Sequence, residues 1–477
     1  MGIVATVKRW IGMLFKSKAE EEFKVKDITS PEMEGIIKVC ASIYRGDPYW
    51  VNKEDNIKTI NFAKALCSET ARLTTLAIKI QIGGSARATW LQEQIDKAYF
   101  KLRHWVEYGC AYGTIIIKPN ESGFDVFTPF DFIVTECDSN GNITGIVFKD
   151  SYEENDKCYT RLEYHRFVET QTENGKFYPY YVSNRAYVSQ SSESQGQPIP
   201  LSKTKWANLM SDTPPITKEG DQRLDGPMFG VFRTPQANNV DMSSPLGLSV
   251  FAEAIEELKD LDVAYSRNSE EIFDSQRIVL ADDRLMYESG KNLKKRGNPA
   301  VKLARFVKNV FGNSQEEFYK EIDPQLNTDT RLSGINALLS QIGYKCGFSN
   351  GYFVFNESTG IQTATGVEAE QQRTIQFVKD VRDKLENCLD GAIYGMSIYA
   401  DLYALAPIGS YEVVYDFGEI TYNREEDRAR WWNYVIQGKV PAWQYFVKFE
   451  GMTEEEAKKM VNEAQPKEEP KFFAEEE

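Results

Sequence analysis

The sequence predicts a mixed α+β protein, on three observations. Two strongly helical stretches, Arg331 to Phe348 and Val367 to Leu405, flank a Gly- and Asn-rich loop at Ser349 to Gly366. A third helical stretch, Ser244 to Gln276, lies upstream. Between Gly113 and Val188 the apolar period shortens to two, the spacing of strands with one buried face.

Taken in order, Met1 to Lys18 mixes Trp10, Ile11, Leu14 and Phe15 with Lys8, Arg9, Lys16 and Lys18. Charge interrupts the apolar run and a small-residue cleavage site is missing, so it reads poorly as a signal peptide. Gly2 with Thr6 fits a myristoylation pattern only formally. An amphipathic helix docked on protein and one attached to a membrane surface both fit. No apolar run is long enough to span a bilayer.

Lys26 to Gly83 carries Ile36, Ile37, Val39 and Ile43, then Ile57, Ile60, Leu66 and Leu73, and is predicted helical; Arg87 to Gly109 continues that pattern. Strands are predicted at Thr114–Lys118, Phe132–Glu136, Ile143–Lys149, Tyr159–Thr170 and Lys176–Val188. Asn140-Gly141 and Asn174-Gly175 adopt positive φ cheaply, which makes an antiparallel meander the natural arrangement. Ser189 to Pro200 is a polar linker or loop tip.

Ser244-Pro245 has the chemistry of a helix start, an N-cap hydroxyl followed by Pro at the first helical position. Val250, Ala254, Leu258, Leu261 and Tyr265 then form one stripe. A helix running to Gln276 would be about 50 Å long at 1.5 Å per residue. Arg277 to Lys308 reverses the composition, with nine basic residues against three acidic ones, and its strand-like runs predict a small β-rich insertion. Its basic face suits solvent or a protein partner as well as DNA. The helical period resumes with Leu332, Ile335, Leu338, Leu339 and Ile342, and Thr365 with Glu368 has capping-box spacing before the next helix. Tyr411 to Phe417 is a late strand expected to rejoin the earlier sheet. Asn423 to Ala464 is helical and broken near Gly438 and Pro441, and the tail from Pro466 is acidic.

The 477 residues are 42% hydrophobic and 27% charged, enough for a sizeable core. A net charge of −15 opposes general adhesion to nucleic acid, because phosphate binders offer Lys and Arg to displace counterions. The seven cysteines are odd in number and never in CxxC spacing, which favours free thiols in a reducing compartment. Histidine chemistry is nearly excluded, since only His104 and His165 exist. No Walker A run, GxSxG elbow or GxGxxG fingerprint is present, so neither an enzyme activity nor a bound cofactor or metal is expected. Asp138, Asn140 and Asn142 resemble a calcium loop weakly, but Ile143 stands where glycine is required and a hairpin turn explains them better.

Two stretches carry a specific likeness: FGVFRTPQANNVDMSSPLGLSV at Phe229–Val250 and IQTATGVEAEQQRTI at Ile361–Ile375. They resemble signature stretches of bacteriophage portal proteins of the SPP1/A118 type, and the order of elements extends the likeness from about Asn61 to Ala464. The resemblance implies a portal fold with helical stem, β-rich wing and clip, and helical crown. Residues 1–243 would be the wing, 244–276 the first stem helix, 277–326 the clip and 327–348 the second stem helix. Residues 349–366 would be the tunnel loop, 367–422 the long helix with a returning wing strand, 423–465 the crown and 466–477 the acidic tail.

The resemblance further implies a closed ring of about twelve subunits at one capsid vertex. Double-stranded DNA would be packaged and ejected through it, and it would dock the terminase motor, a head-completion adaptor and the major capsid or scaffolding protein. Asn350, Asn356, Ser358 and Gln362 would touch DNA lightly from a loop hinged by Gly351, Gly360 and Gly366, and Arg331 and Lys345 are candidate lumen cations. Lys291, Lys294, Lys295, Arg296, Lys302 and Arg305 would meet protein partners rather than DNA. Two other classes remain open from sequence: a monomeric DNA-binding enzyme or processivity factor, which predicts tight salt-sensitive binding, and a peripheral membrane protein, which predicts liposome flotation dependent on Met1 to Lys18.

Overall fold

The computed structural model describes residues 15–51, 56–172, 175–190, 196–218, 222–274, 278–281, 305–308, 319–322, 327–355, 364–418, 431–437, 440–450, 452 and 454–463. The chain divides into two compact units, Met1–Thr359 with Glu370–Gly418, and Gly360–Ala369 with Glu419–Glu477. Both helices and strands are well represented, so the α+β class holds.

In the larger unit, helical residues 15–23 are followed by α1 (Pro31–Tyr44) and α2 (Phe62–Thr74). Ser30 caps α1 by accepting from Met33 N–H, with Pro31 at the first helical position, so the chemistry expected of a helix start is realised here. The predicted single helical span from Lys26 to Gly83 is corrected in its last part: Lys79–Gly84 is strand β1. Ile80 and Ile82 are buried while Lys79 and Gln81 are exposed, a period of two too short to stand out. Its partner is the late strand β15 (Tyr411–Asp416), in a separate two-stranded antiparallel sheet and not in the meander, as had been expected. The next helical stretch is broken at residues 99–101 into α3 (Ala86–Ala98) and α4 (Leu102–Tyr112).

The expected antiparallel meander is present: β4 (Phe132–Cys137), β5 (Ile143–Glu154), β6 (Lys157–Phe167), β9 (Tyr180–Ser189) and β10 (Gln197–Ile199) form one sheet in spatial order β10-β9-β6-β5-β4. A small hairpin, β7 (Thr170–Thr172) with β8 (Gly175–Phe177), projects between β6 and β9. Asp138 accepts from the backbone of Asn140 and Asn142 and from the Asn142 amide, so the turn reading of this Asp/Asn run is the one observed. The predicted strand at Thr114–Lys118 leaves the meander; as β2 (Thr114–Asn120) it lies between β3 (Gly123–Phe127) and β11 (Gly230–Arg233) in a three-stranded sheet. Phe127, Phe132, Val134, Ile146, Phe148 and Phe229 interleave between the two sheets. The opposite face of the meander buries Ile133, Val147, Leu162 and Tyr164 against Phe15 and Ala19 of the first helical segment.

The first rod begins later than Ser244-Pro245 predicts. Ser244 Oγ instead accepts from Leu246 N–H in a local turn, and residues 244–250 are irregular. A 3-10 turn at Ala252–Ala254 leads into α5 (Ile255–Asp274). Tyr265 leaves the predicted stripe for solvent, while Asp262 and Ser266 are buried in its place. Asp262 accepts from Trp50 Nε1 at 2.8 Å and from Ile60 N at 2.9 Å, pinning the connection between α1 and α2 to the rod. Burial raises the Asp262 carboxyl above the usual range.

After α5 come three short strands, β12 (Ile278–Ala281), β13 (Arg305–Lys308) and β14 (Tyr319–Ile322), with β12 central. Then follow α6 (Thr328–Lys345) and the long helix α7 (Ala364–Leu402). The side chains of Thr365 and Glu368, the proposed capping box, lie outside the described residues.

Two features lock α7 into the larger unit. Arg87, 1% exposed on α3, donates to the carbonyls of Ser397 (2.6 Å), Pro407 (2.7 Å) and Ala406 (2.9 Å) and pairs with Asp401. Gly230 on β11 crosses α7 so closely that a Cβ there would sit 1.7 Å from the Cys388 carbonyl oxygen, and Gly391 and Gly395 accommodate the same crossing from the helix side. All seven cysteines are free, and every one except Cys137 is buried.

The smaller unit contains helical residues 431–436, α8 (Ala442–Glu450), which starts directly after Pro441, and α9 (Glu454–Glu463). Trp431, Tyr445 and Phe449 form an aromatic cluster within it.

Candidate functional site

The sequence points to the α5–α6 pair and the segment that follows it. These helices run antiparallel, since ion pairs link opposite ends: Glu257 with Lys345 at 2.5 Å, and Glu271 with Arg331. Lys345 also donates to the Glu253 carbonyl at 3.1 Å. Both candidate lumen cations are therefore half-buried at the helix–helix seam with their charges matched by carboxylates. Outward, α5 and the turn before it expose Glu253, Glu256, Asp260 and Glu270 against Arg267, an acid-leaning surface.

The loop after α6 is more anchored than its glycines and asparagines suggest. Phe348, Tyr352 and Phe353 pack on one another, and Phe62 and Phe377 add edge and tilted contacts. Counting aliphatic residues misses this, because the burial is aromatic. Tyr352 O–H donates to Glu69 at 2.5 Å, and burial together with that carboxylate pushes its phenol up to about 12. Ser340 donates to Asn350 Oδ1 at 2.7 Å and accepts from Gly351 N–H at 2.8 Å. Asn336 makes two bonds to the Phe355 backbone, at 3.0 and 2.9 Å. An open groove of about 450 Å3 runs along α6 here, where the neutral polar Ser333, Asn336, Ser340 and Asn350 alternate with Asp329 and the apolar Leu332, Val354 and Phe355.

Of the proposed DNA-facing residues, Asn350 is thus tied to α6, while Asn356, Ser358 and Gln362 lie outside the described residues. So do Lys291, Lys294, Lys295, Arg296 and Lys302; Arg305 is described by its backbone alone, which begins β13 opposite Ile278.

A second constellation was not anticipated. On the inner face of the meander, Glu163 pairs with Lys118 at 2.8 Å, with Arg161 at 2.9 Å and with His165 Nε2 at 2.9 Å, all four side chains being almost wholly buried. Tyr180 O–H accepts from Met228 N–H at 3.2 Å and lies 2.8 Å from His165 Nδ1. His165, Tyr180 and Glu163 Oε1 are satisfied together if neutral His165 donates through Nε2 to Glu163 and accepts at Nδ1 from Tyr180. The signal was present in the sequence: Arg161, Glu163 and His165 occupy alternate positions of one strand and so must share a face.

Burial lowers the His165 pKa, Lys118 and Arg161 reinforce that, and Glu163 opposes it. Burial acts to raise the Glu163 carboxyl, but Arg161, Lys118 and His165 outweigh it and hold the group well below the usual range. Both folded pKa values lie below their unfolded ones, so protons favour the unfolded chain. The histidine contribution is complete above the unfolded value of about 6.5 and is lost as pH falls through the folded pKa. Thermal stability should be flat above that pH and decline beneath it by at most about 1.4 kcal/mol per pH unit from this group. In His165→Gln the first decline should vanish while the deeper acid loss from Glu163 persists. Identical melting-versus-pH curves for the two chains would refute this assignment.

Among the described residues no helix is long and apolar enough to cross a membrane, and no group of His, Cys, Asp and Glu could hold a metal ion. Comparison with known protein families finds no match, and comparison with curated proteins finds no relative.

Proposed function

We propose that this chain is a portal-type subunit: a non-enzymatic building block of a ring through which double-stranded DNA enters and leaves a phage capsid. The observation that carries the reading is the sequence of parts after residue 250: an antiparallel helix pair with a small three-stranded β unit inserted between its members, then an anchored loop, then a 39-residue helix. On this reading α5 and α6 form the stem, residues 277–326 the clip, residues 349–366 the tunnel loop and residues 423–465 the crown. The wing comprises the elements before α5 with β15 returning to them. The clip meets terminase and adaptor, the capsid or scaffolding protein surrounds the ring, and the assembled protein resides in the virion.

Electrostatics supports the same reading. A duplex that must slide needs a wall that binds phosphate weakly, and both the net charge of −15 and the carboxylates exposed by α5 favour that. Arg331 and Lys345 tie the two helices together through Glu271 and Glu257, and on this reading phosphate contact falls to Asn350, Asn356, Ser358 and Gln362 of the loop.

Purified protein should appear in electron micrographs as rings with a central hole, and its mass by light scattering should be a large multiple of 54.5 kDa. Deleting residues 356–363, while leaving the anchored Ser349–Phe355 intact, should preserve ring mass and reduce DNA packaging. A stable monomer at micromolar concentration would overturn the ring, and unchanged packaging would remove the loop's role.

A further inference from the structure

The inner face of the meander holds a cavity of about 350 Å3 that the channel reading does not use, within the size range of small-ligand pockets. Arg161 and Glu163 of β6 and Asn184 of β9 form part of its wall; Trp206, Tyr399 and Tyr403 contribute aromatic surface. Asn184 stands directly opposite Glu163, and Arg161 lies two positions along, opposite Ala186. Arg161 and Asn184 are therefore diagonal neighbours on one face, about 7–8 Å apart at Cα.

Three buried polar atoms here lack a hydrogen-bond partner among the described residues: Arg161 Nε, Asn184 Oδ1 and Glu163 Oε2. Glu163 Oε2 has the cations of Lys118 and Arg161 at 2.8 and 2.9 Å, which leaves Arg161 Nε and Asn184 Oδ1, on residues only 4% and 3% exposed, without any counterpart. Their identities are fixed by what their neighbours do. The Asn184 amide nitrogen donates to the Met210 carbonyl at 2.8 Å, which leaves its oxygen over as an acceptor. Arg161 Nη2 is taken up by Glu163 at 2.9 Å and Asp150 at 3.5 Å, which leaves Nε–H over as a donor. A buried donor and a buried acceptor left unpaired are costly, and such groups point to something that completes them.

We propose that this cavity binds a small uncharged molecule through a carboxamide or cyclic-amide edge, whose C=O accepts from Arg161 Nε–H and whose N–H donates to Asn184 Oδ1. The charge pattern selects against ions. The lining carries Lys118, Arg161 and Lys205 against Glu121, Asp125, Asp150 and Glu163, so a carboxylate ligand would face four carboxylates and an ammonium would face three cations. Tyr399 and Tyr403 offer the ligand body a partly apolar wall.

The test uses the full-length chain and saturation-transfer NMR with benzamide, nicotinamide and uracil as probes, and benzoate and benzylamine as charged controls. The amides should bind and compete with one another, with the charged controls at least roughly tenfold weaker. Asn184→Ala and Arg161→Lys should each weaken amide binding by roughly tenfold, whereas Lys205→Ala, at the exposed rim, should not. Leu209→Trp adds bulk at the cavity wall while leaving Arg161 and Asn184 themselves unchanged and should abolish binding, which keeps the test decisive should a polar variant fail to fold. Failure of all three amides to bind the wild-type chain would overturn the proposal. So would binding unchanged by both Asn184→Ala and Leu209→Trp, or a benzamide-soaked crystal showing only a water molecule between Arg161 and Asn184.

Discussion

Replacing Arg87 with methionine is expected to destabilise the larger unit by about 3 kcal/mol, a large fraction of a typical domain's stability. The substitution preserves most of the apolar stem and removes only the guanidinium. Three carbonyls, of Ser397, Ala406 and Pro407, then lose their donor beside a side chain that is almost fully buried. Asp401 loses its partner near the C-terminal end of α7, where the helix dipole already disfavours negative charge; being 43% exposed, it retains some hydration and limits the loss. Arg87→Lys should recover only part of the difference, because an ammonium cannot reproduce the planar fork that reaches several carbonyls at once. Urea midpoints compared at one protein concentration would measure both effects, the fixed concentration being needed because assembly itself stabilises. An Arg87→Met midpoint equal to that of the wild type would show that the clamp carries no net energy.

Gly230→Ala is expected to be more damaging still. The added methyl would meet the Cys388 carbonyl at 1.7 Å and the Ala392 nitrogen at 2.9 Å, and both are backbone atoms of a helix that cannot turn aside as a side chain could. The cost should exceed the roughly 1–3 kcal/mol of ordinary overpacking, because strand β11 must separate from α7. Gly35→Ala is the matched control: Gly35 lies within α1 with nothing within 4 Å of an added Cβ, so helix propensity alone should make it neutral or stabilising by up to about 1 kcal/mol. Circular dichroism melts of the two alanine variants would separate these outcomes. Equal stability would mean that the crossing relaxes freely.

Long-period signals in the sequence translated well into structure. Of the predicted stripe on α6, Ile335, Leu339 and Ile342 are buried and Leu332 and Leu338 half-buried at its margins, and the alternating runs of the meander pair in sequence order. Shorter or borrowed signals did not. The two isoleucines of β1 give only one full alternation, and β2 reads as meander although its partners are β3 and a strand more than a hundred residues later. Ser244-Pro245 carries helix-start chemistry, yet tight packing of Gly247 against the backbone at Gly113 holds that segment in an irregular path. Such contacts are tertiary and leave no local mark. At the candidate site, the cations Arg331 and Lys345 were legible as residues, but their carboxylate partners sit on another helix and could not be paired from spacing. The buried network of Lys118, Arg161, Glu163 and His165 was legible in part, through three polar residues at alternate positions of one strand.

The protected sulfurs give the molecule a built-in recorder of its own breathing. Burial pushes the Cys40 thiol up to about 12 and drives Cys67, Cys110, Cys346 and Cys388 upward as well, so none offers appreciable thiolate while its surroundings stay closed. Cys137 alone is exposed and should be alkylated at once. Later labels, placed by peptide mass, would date the opening of α1, α2, α4, the turn after α6 and the middle of α7 in turn, without any probe being engineered into the chain.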